Sequence, residues 1–290
     1  MATIKPILLL ADSQLLFYRN ERNERNERNE RGERGERGEE GSFLEQRVRT
    51  LLDEEAPNPD PKAAYLGASN GDAPEFYELF RSAMSSIRIE TCRMIPTEPS
   101  ATDRDFLAEA DLILLAGGNT RLGYRAFEAA GIKDRIIERY YAGALLIGVS
   151  AGAVQLGLKG WDDESRKLFD TFRIVPFVID VHDEPSWGQL VQAVPKAGEH
   201  AKGFGIPTGG GAFYHPDYSI EPIRHALNEV SLDEEGNVRQ ALLFPGERSL
   251  VEIAEIAEIA ELAEKPEPPQ PQEIPSPRST PGENGPETVN

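Results

Sequence analysis

The segment from Ala142 to Leu158, Ala-Gly-Ala-Leu-Leu-Ile-Gly-Val-Ser-Ala-Gly-Ala-Val-Gln-Leu-Gly-Leu, constrains the fold more than any other stretch of this 290-residue chain. Its apolar run, Ala144 to Ile147, predicts a buried parallel strand. Gly148-Val149-Ser150-Ala151-Gly152 follows, and the apolar residues beyond it are spaced as in a helix. Small residues two places either side of a serine, between strand and helix, form the nucleophile-elbow pattern. The reason is steric: the turn is sharp, its flanking backbones cross closely, and only Gly or Ala fits. The serine hydroxyl is left at the positive end of a helix, beside backbone N–H groups that can receive a developing oxyanion. Small residues also serve ordinary strand–helix packing, so the pattern becomes chemistry only in the company of a base and its orienter.

Strand and helix signals alternate around this segment. Strands are expected at Pro6 to Ala11, Ala63 to Gly67, Ile87 to Ile95, Asp111 to Ala116, Phe172 to Asp180 and Lys202 to Pro207. Helices are expected at Phe43 to Leu52, Ala73 to Met84 (with Asp72 as N-cap), Asp103 to Ala110, Arg121 to Ala130 and Ile132 to Tyr141. Gly160 to Glu164 reads as an acidic loop. The alternation predicts an α/β fold with a doubly wound, mostly parallel sheet. In such sheets ligands bind at the C-terminal ends of the strands.

One such domain is expected over residues 1–248. It is interrupted at 19–41 by tandem Asn-Glu-Arg and Gly-Glu-Arg triplets that offer no apolar residue to a core. Residues 249–265 read as an acidic Ile-Ala-Glu repeat helix, and 266–290 as a disordered tail rich in Pro and Glu. The formal charge of −19 argues against general nucleic-acid binding, which needs a basic surface. A single cysteine, Cys92, excludes an internal disulfide and a Cys-based metal cluster. The apolar run Ile7 to Ala11 is too short for a signal-peptide core, and nothing approaches a membrane span. A cytoplasmic protein, working as a monomer or homodimer away from membranes, is expected.

A serine hydroxyl needs a base, an orienter for that base and oxyanion donors. Of His182, His200, His215 and His225, His182 is placed best, just past the end of an expected strand and on the sheet edge expected for Ser150. Carboxylates in reach of that arrangement are Asp162, Asp163 and Glu164 in the acidic loop, and Asp180 and Asp183 flanking the histidine. Gly118 ends one strand and Ala151 follows the serine, so their N–H groups are the expected oxyanion donors.

Five motifs carry a family resemblance: Tyr-Leu-Gly-Ala-Ser-Asn-Gly-Asp at 65–72, Ala-Gly-Gly-Asn-Thr at 116–120, Gly-Val-Ser-Ala-Gly-Ala at 148–153, Ile-Val-Pro-Phe-Val-Ile-Asp-Val-His at 174–182, and Gly-Phe-Gly-Ile-Pro at 203–207. Together they resemble the peptidase E and cyanophycinase family of serine peptidases. The resemblance implies a flavodoxin-like, class I glutamine amidotransferase-like three-layer sandwich. It implies Ser150 as nucleophile and His182 as base, with the acid in the loop after the serine, which favours Asp162 or Asp163 and then Glu164. It also implies a small peptide substrate and no metal or organic cofactor. Asn70, Asn119, Thr120 and Asp183 are the expected substrate contacts. Known members cleave dipeptides with an N-terminal aspartate, or a β-linked aspartyl-arginine polymer. The chain departs from the cyanophycinase branch after the histidine: Asp183 and Glu184 stand where that branch has substrate-gripping arginines. An acidic rim repels aspartyl carboxylates and favours a cationic group. Arg121 and Arg125 remain as candidate carboxylate holders, but as helix-surface residues they are expected to do nothing specific.

The leading expectation is a serine hydrolase of exopeptidase or dipeptidase type, acting through an acyl-enzyme on Ser150. The alternative is an amidotransferase-like module that keeps the elbow for packing and binds a small ligand at the sheet edge; such a module does not react covalently at Ser150. An α/β-hydrolase esterase shares the order serine, acid, histidine, but its histidine usually lies far nearer the C-terminus. Here His182 is only 32 residues beyond Ser150.

Overall fold

The computed structural model describes residues 3–16, 45–53, 58–162, 164–183 and 185–247. The triplet repeat at 19–41, the segments 249–265 and 266–290, and the side chains of Asp163 and Glu184 lie outside the described residues.

The strands in chain order are β1 (Ile7–Leu10), β2 (Lys62–Leu66), β3 (Thr91–Ile95), β4 (Leu112–Leu115), β5 (Leu145–Val149), β6 (Lys159–Asp162), β7 (Lys167–Asp170), β8 (Val178–Val181), β9 (Gly203–Ile206), β10 (Gly211–Tyr214), β11 (Ile220–Ile223), β12 (Leu227–Leu232) and β13 (Val238–Leu243). The principal helices are α1 (Pro74–Ser86), α2 (Ala101–Glu109), α3 (Thr120–Ala129), α4 (Lys133–Tyr141), α5 (Ala151–Leu156) and α6 (Gly188–Ala197).

Among the described residues, seven strands form one sheet in the order β11-β10-β1-β5-β4-β2-β3. From β1 to β3 every neighbouring pair is parallel, whereas β10 and β11 add on antiparallel. The parallel strands are short apolar runs because helices cover both faces. Successive residues alternate between two cores. Leu9, Leu66, Ile113 and Leu146 face the side covered by α3, α4 and α5, and Leu8, Tyr65, Leu114 and Ile147 face the side covered by α1. Each such Leu or Ile, fully buried, contributes roughly 1.5–3 kcal/mol relative to an exposed position. The result is the expected flavodoxin-like three-layer α/β sandwich.

Several local expectations are corrected. A second, four-stranded sheet, β13-β12-β9-β8, stands beside the first, and β8 belongs to it. His182 therefore does not share a sheet with Ser150. The expected strand over Phe172 to Asp180 narrows to β8; Phe172, Val175 and Phe177 are buried in irregular chain. An apolar run reports burial, and here burial comes without ladder pairing. The acidic loop is largely a hairpin, with β6 and β7 pairing Gly160 with Phe169 and Asp162 with Lys167. Asp72 does not cap α1. Ala73 holds that position, and the Asp72 carboxylate accepts from the Thr97 N–H at 2.7 Å. The third strand begins only at Thr91, because α1 runs on to Ser86 and a turn follows it.

Candidate active site

Ser150 connects β5 to α5 with φ 51° and ψ −112°. A positive φ is unfavourable for a residue with a Cβ and persists only where the surroundings enforce it. Three hydrogen bonds do so: the Ser150 N–H donates to Leu10 O at 2.8 Å, and Ser150 O accepts from the N–H groups of Ala153 and Val154 at 2.9 and 3.2 Å. The small residues of the motif are required as the elbow predicts. A Cβ on Gly148 would stand 2.7 Å from Ala153 N and Cα, and one on Gly152 only 2.1 Å from Leu115 O.

Beside the serine lies the turn after β4. A Cβ on Gly117 would reach 3.2 Å from Ser150 Cβ. Gly118 has φ 132° and sits so close to the backbone of Ser69 that a Cβ would fall 2.1 Å from Ser69 O. The Asn119 N–H donates to that same oxygen at 2.7 Å. Gly118 and Ala151 line one cavity with Ser150, and as the first residue of α5 Ala151 has an N–H with no acceptor inside its own helix. The two residues expected as oxyanion donors therefore border the same cavity as the serine.

His182 follows β8 with φ 69° and lines that cavity too. Its N–H donates to Ile206 O at 3.4 Å, and its Nδ1 lies 3.4 Å from Thr208 Oγ1. The side chains of two different sheets thus converge on one opening of about 290 Å³, a volume suited to a small substrate. The other histidines serve elsewhere. His215, just past β10 and so beside the N-terminal end of β1, pairs through Nε2 with Glu221 Oε2 at 2.9 Å. His200 lies in the turn after α6, and His225 lines a separate cavity with Trp187 and Thr208.

The expected acids divide. Asp162 ends β6, and its carboxylate accepts from Ser165 Oγ at 2.8 Å, from the Glu164 N–H at 3.2 Å and from Arg121 Nε at 3.1 Å. The Ser165 hydroxyl, the backbone N–H groups of Glu164 and Ser165, and the Arg121 charge hold this carboxyl below its ordinary value of 3.8. The Arg121 guanidinium also lies 4.9 Å over the Phe169 ring. Arg121 therefore holds a carboxylate of its own chain and ties the β6–β7 hairpin to α3. Trp161, Leu168 and Lys159 of that hairpin form a cavity wall, and Lys159 Nζ is hydrogen-bonded to Asp170 at 2.7 Å.

The expected substrate residues are largely engaged in building the site. The Asn119 side chain accepts from the Leu122 N–H at 2.8 Å and caps α3. Asn70 donates to Tyr65 Oη at 2.9 Å and accepts from the Ala73 N–H at 3.2 Å. Asp183 accepts from the Gln189 N–H at 2.9 Å in the first turn of α6. Thr120 lines the cavity. Sequence reasoning missed Gln189, Trp161 and Lys159 as lining residues; the strand-end rule carries no signal for them, because they come from a hairpin and from a helix of the second sheet. Among the described residues, no group of three or more His, Cys, Asp or Glu side chains is placed to hold a metal ion. Nor is any described helix long and apolar enough to cross a membrane.

Comparison with known proteins addresses family and fold. The description of Peptidase family S51 matches residues 39–207, more than half of the chain. A curated Bacillus subtilis (strain 168) protein named uncharacterized peptidase YgaJ is 26% identical over 109 residues. That match covers 37% of this chain and 47% of the relative, so the chain spans about half the length of the curated protein it matches. A solved peptidase structure from an acI-B1 Actinobacterium is similar with a TM-score of 0.56 and 14% identity, over 86% of this chain and 97% of that one. A putative peptidase E protein from Listeria monocytogenes EGD-e is similar with a TM-score of 0.50 and 18% identity, over 77% and 99%. At these identities the structural likeness is one of fold.

Proposed function

The chain belongs to peptidase family S51, and from that premise we propose that it is a serine-type peptidase acting on a small peptide or isopeptide through an acyl-enzyme on Ser150. The observation that carries the reading is the placement of Ser150 in a strained strand–helix turn, lining one cavity with His182, Gly118 and Ala151.

The chemistry follows from that placement. With Nδ1 turned to Thr208, Nε2 of His182 serves as the base. It takes the Ser150 hydroxyl proton as Oγ bonds to the scissile carbonyl carbon. The carbonyl oxygen becomes an oxyanion held by the N–H groups of Gly118 and Ala151; one such donor is worth ~10²–10³ in rate. The oxyanion collapses, the C–N bond breaks, and His182 returns the proton to the leaving amine. Water then attacks the acyl carbon, gives its proton to His182, and releases the free acid as Ser150 regains its own. A carboxylate of Asp162 or Asp163 orients the imidazole only by taking the place of Thr208 at Nδ1. Substitution of each by Asn separates them, since the orienting acid lowers turnover without abolishing nucleophile labelling.

A cavity of about 290 Å³ favours short substrates and hence exopeptidase or dipeptidase action. The test is labelling with a fluorophosphonate, read by intact mass and peptide mapping. One adduct is expected on Ser150, absent in Ser150→Ala and much slower in His182→Ala. A folded wild-type protein that takes up neither this probe nor a smaller sulfonyl fluoride would instead be a module that binds its ligand without reacting.

A further inference from the structure

Gln155 is a polar side chain in the interior that the reaction scheme leaves unused. It lies on α5, one helical turn beyond the nucleophile, and is wholly buried. Its Nε2 donates to Ser69 Oγ at 3.0 Å and to Thr120 O at 2.8 Å. Its Oε1 is buried without a hydrogen-bond partner among the described residues. A Leu or Met would fill the same volume without burying an unpaired oxygen, so packing alone does not account for a glutamine here.

Its two acceptors account for it. Thr120 follows Gly118 and Asn119 directly and begins α3. Ser69 is the residue on which Gly118 rests, and its carbonyl also accepts from the Asn119 N–H. Gly123 lacks a side chain for the same reason: a Cβ there would stand 2.0 Å from Ser69 Oγ and 2.7 Å from Gln155 Nε2. One amide thus joins the helix that carries Ser150 to both loops that hold Gly118.

We infer that Gln155 is a positioning residue for the oxyanion site: by tying Ser69 and Thr120 to α5 it fixes the Gly118 N–H relative to Ser150 Oγ. This rests on the reading of Ser150 as nucleophile and Gly118 as oxyanion donor. The consequence is selective. Loss of Gln155 weakens reactions that build negative charge on an oxygen at the site and spares the nucleophile itself.

The test compares two reactions in the full chain. Fluorophosphonate attack forms the Ser150 Oγ–P bond, expels fluoride, and passes the hydroxyl proton to His182 while the phosphoryl oxygen occupies the oxyanion site. Iodoacetamide alkylation of a Ser150→Cys variant forms an S–C bond, passes the thiol proton to His182 and expels iodide from a CH₂ carbon, with no oxyanion. Cys92 is a poor competitor, since burial pushes its thiol up to about 11, and peptide mapping separates the two sites. Gln155→Met is expected to slow phosphonylation about 10- to 100-fold, a misplaced donor being at most as damaging as a removed one. In the Ser150→Cys background the same substitution leaves the alkylation rate within about twofold, since that step needs no oxyanion donor. Equal loss in both reactions, or loss in neither, would overturn the assignment. If Gln155→Met does not fold, Ser69→Ala, which removes one of the two acceptors and keeps the Ser69 backbone, is expected to give the same selective loss at smaller size. Absence of phosphonylation in the wild type would refute the nucleophile assignment itself, and this inference with it.

Discussion

Gly152→Ala tests the steric logic of the elbow, because two effects of opposite sign compete there. Alanine is a better helix former than glycine by up to ~1 kcal/mol, and α5 on its own would gain from the change. Against this, the new Cβ would lie 2.1 Å from Leu115 O, 2.6 Å from Leu115 C and 2.8 Å from Leu115 Cβ. Real Cβ contacts under 3.0 Å essentially do not occur, and the obstruction is backbone rather than a flexible side chain. The end of β4 must therefore move by about 1 Å, and overpacking of that kind costs ~1–3 kcal/mol. With the full helix gain subtracted, the net expectation is destabilisation of about 0–2 kcal/mol, or up to about 8 °C in Tm for a domain of this size. The displaced chain leads straight into Gly117 and Gly118, so fluorophosphonate labelling should fall about 100-fold, as for a 1 Å misplacement at a reacting centre. Thermal denaturation and labelling rates on one preparation provide both numbers. Gly71→Ala is the comparator: Gly71 has φ 72° with nothing within 4 Å of the added Cβ, so only backbone strain of ~1–2 kcal/mol is expected, without loss of labelling. A Gly152→Ala protein with raised Tm, or with unchanged Tm and unchanged labelling, would refute the argument that the strand–helix crossing requires glycine.

Asp183→Ala should remove the acceptor of the Gln189 N–H at the start of α6 and lower stability by ~1 kcal/mol while Ser150 still labels; a change in substrate preference with Tm unchanged would show that the carboxylate faces substrate instead. The lowered carboxyl of Asp162 contributes stability that is present above its unfolded value and lost as pH falls through the lower folded value. The Tm difference between wild type and Asp162→Asn should thus be largest above about pH 5 and shrink below 3.8, and a difference constant with pH would contradict the Ser165 and Arg121 contacts. Gly118→Ala should abolish labelling or folding, since its Cβ would meet the Ser69 backbone at 2.1 Å and its φ of 132° suits glycine alone.

What was legible in the sequence was local. The elbow could be read because its steric demands fall on residues within two positions of Ser150. The parallel strands could be read because burial on both faces leaves short runs such as Leu112–Leu115 wholly apolar. The second sheet was less legible, since β8 and β9 are four residues long and their sheet membership is set by pairing between them, across α6. The hairpin was hidden for another reason: β6 reads Lys-Gly-Trp-Asp, whose alternation over four residues is too brief to mark a strand. The environment of Asp162 depends on Arg121, far off in sequence, and no spacing rule reports that pairing. Gln155 gives no such signal, because a polar residue in an apolar helix carries no sign of what it will bond. Its acceptors, Ser69 and Thr120, become neighbours only when β2, β4 and β5 lie side by side.

The account stands most directly on the claim that Ser150 attacks within a prepared oxyanion site. A crystal structure of the fluorophosphonate-treated protein tests it. The account predicts phosphorus bonded to Ser150 Oγ, with the phosphoryl oxygen about 2.7–3.1 Å from the N–H groups of both Gly118 and Ala151. An adduct on Ser150 whose phosphoryl oxygen points to solvent, with neither N–H in reach, would contradict it.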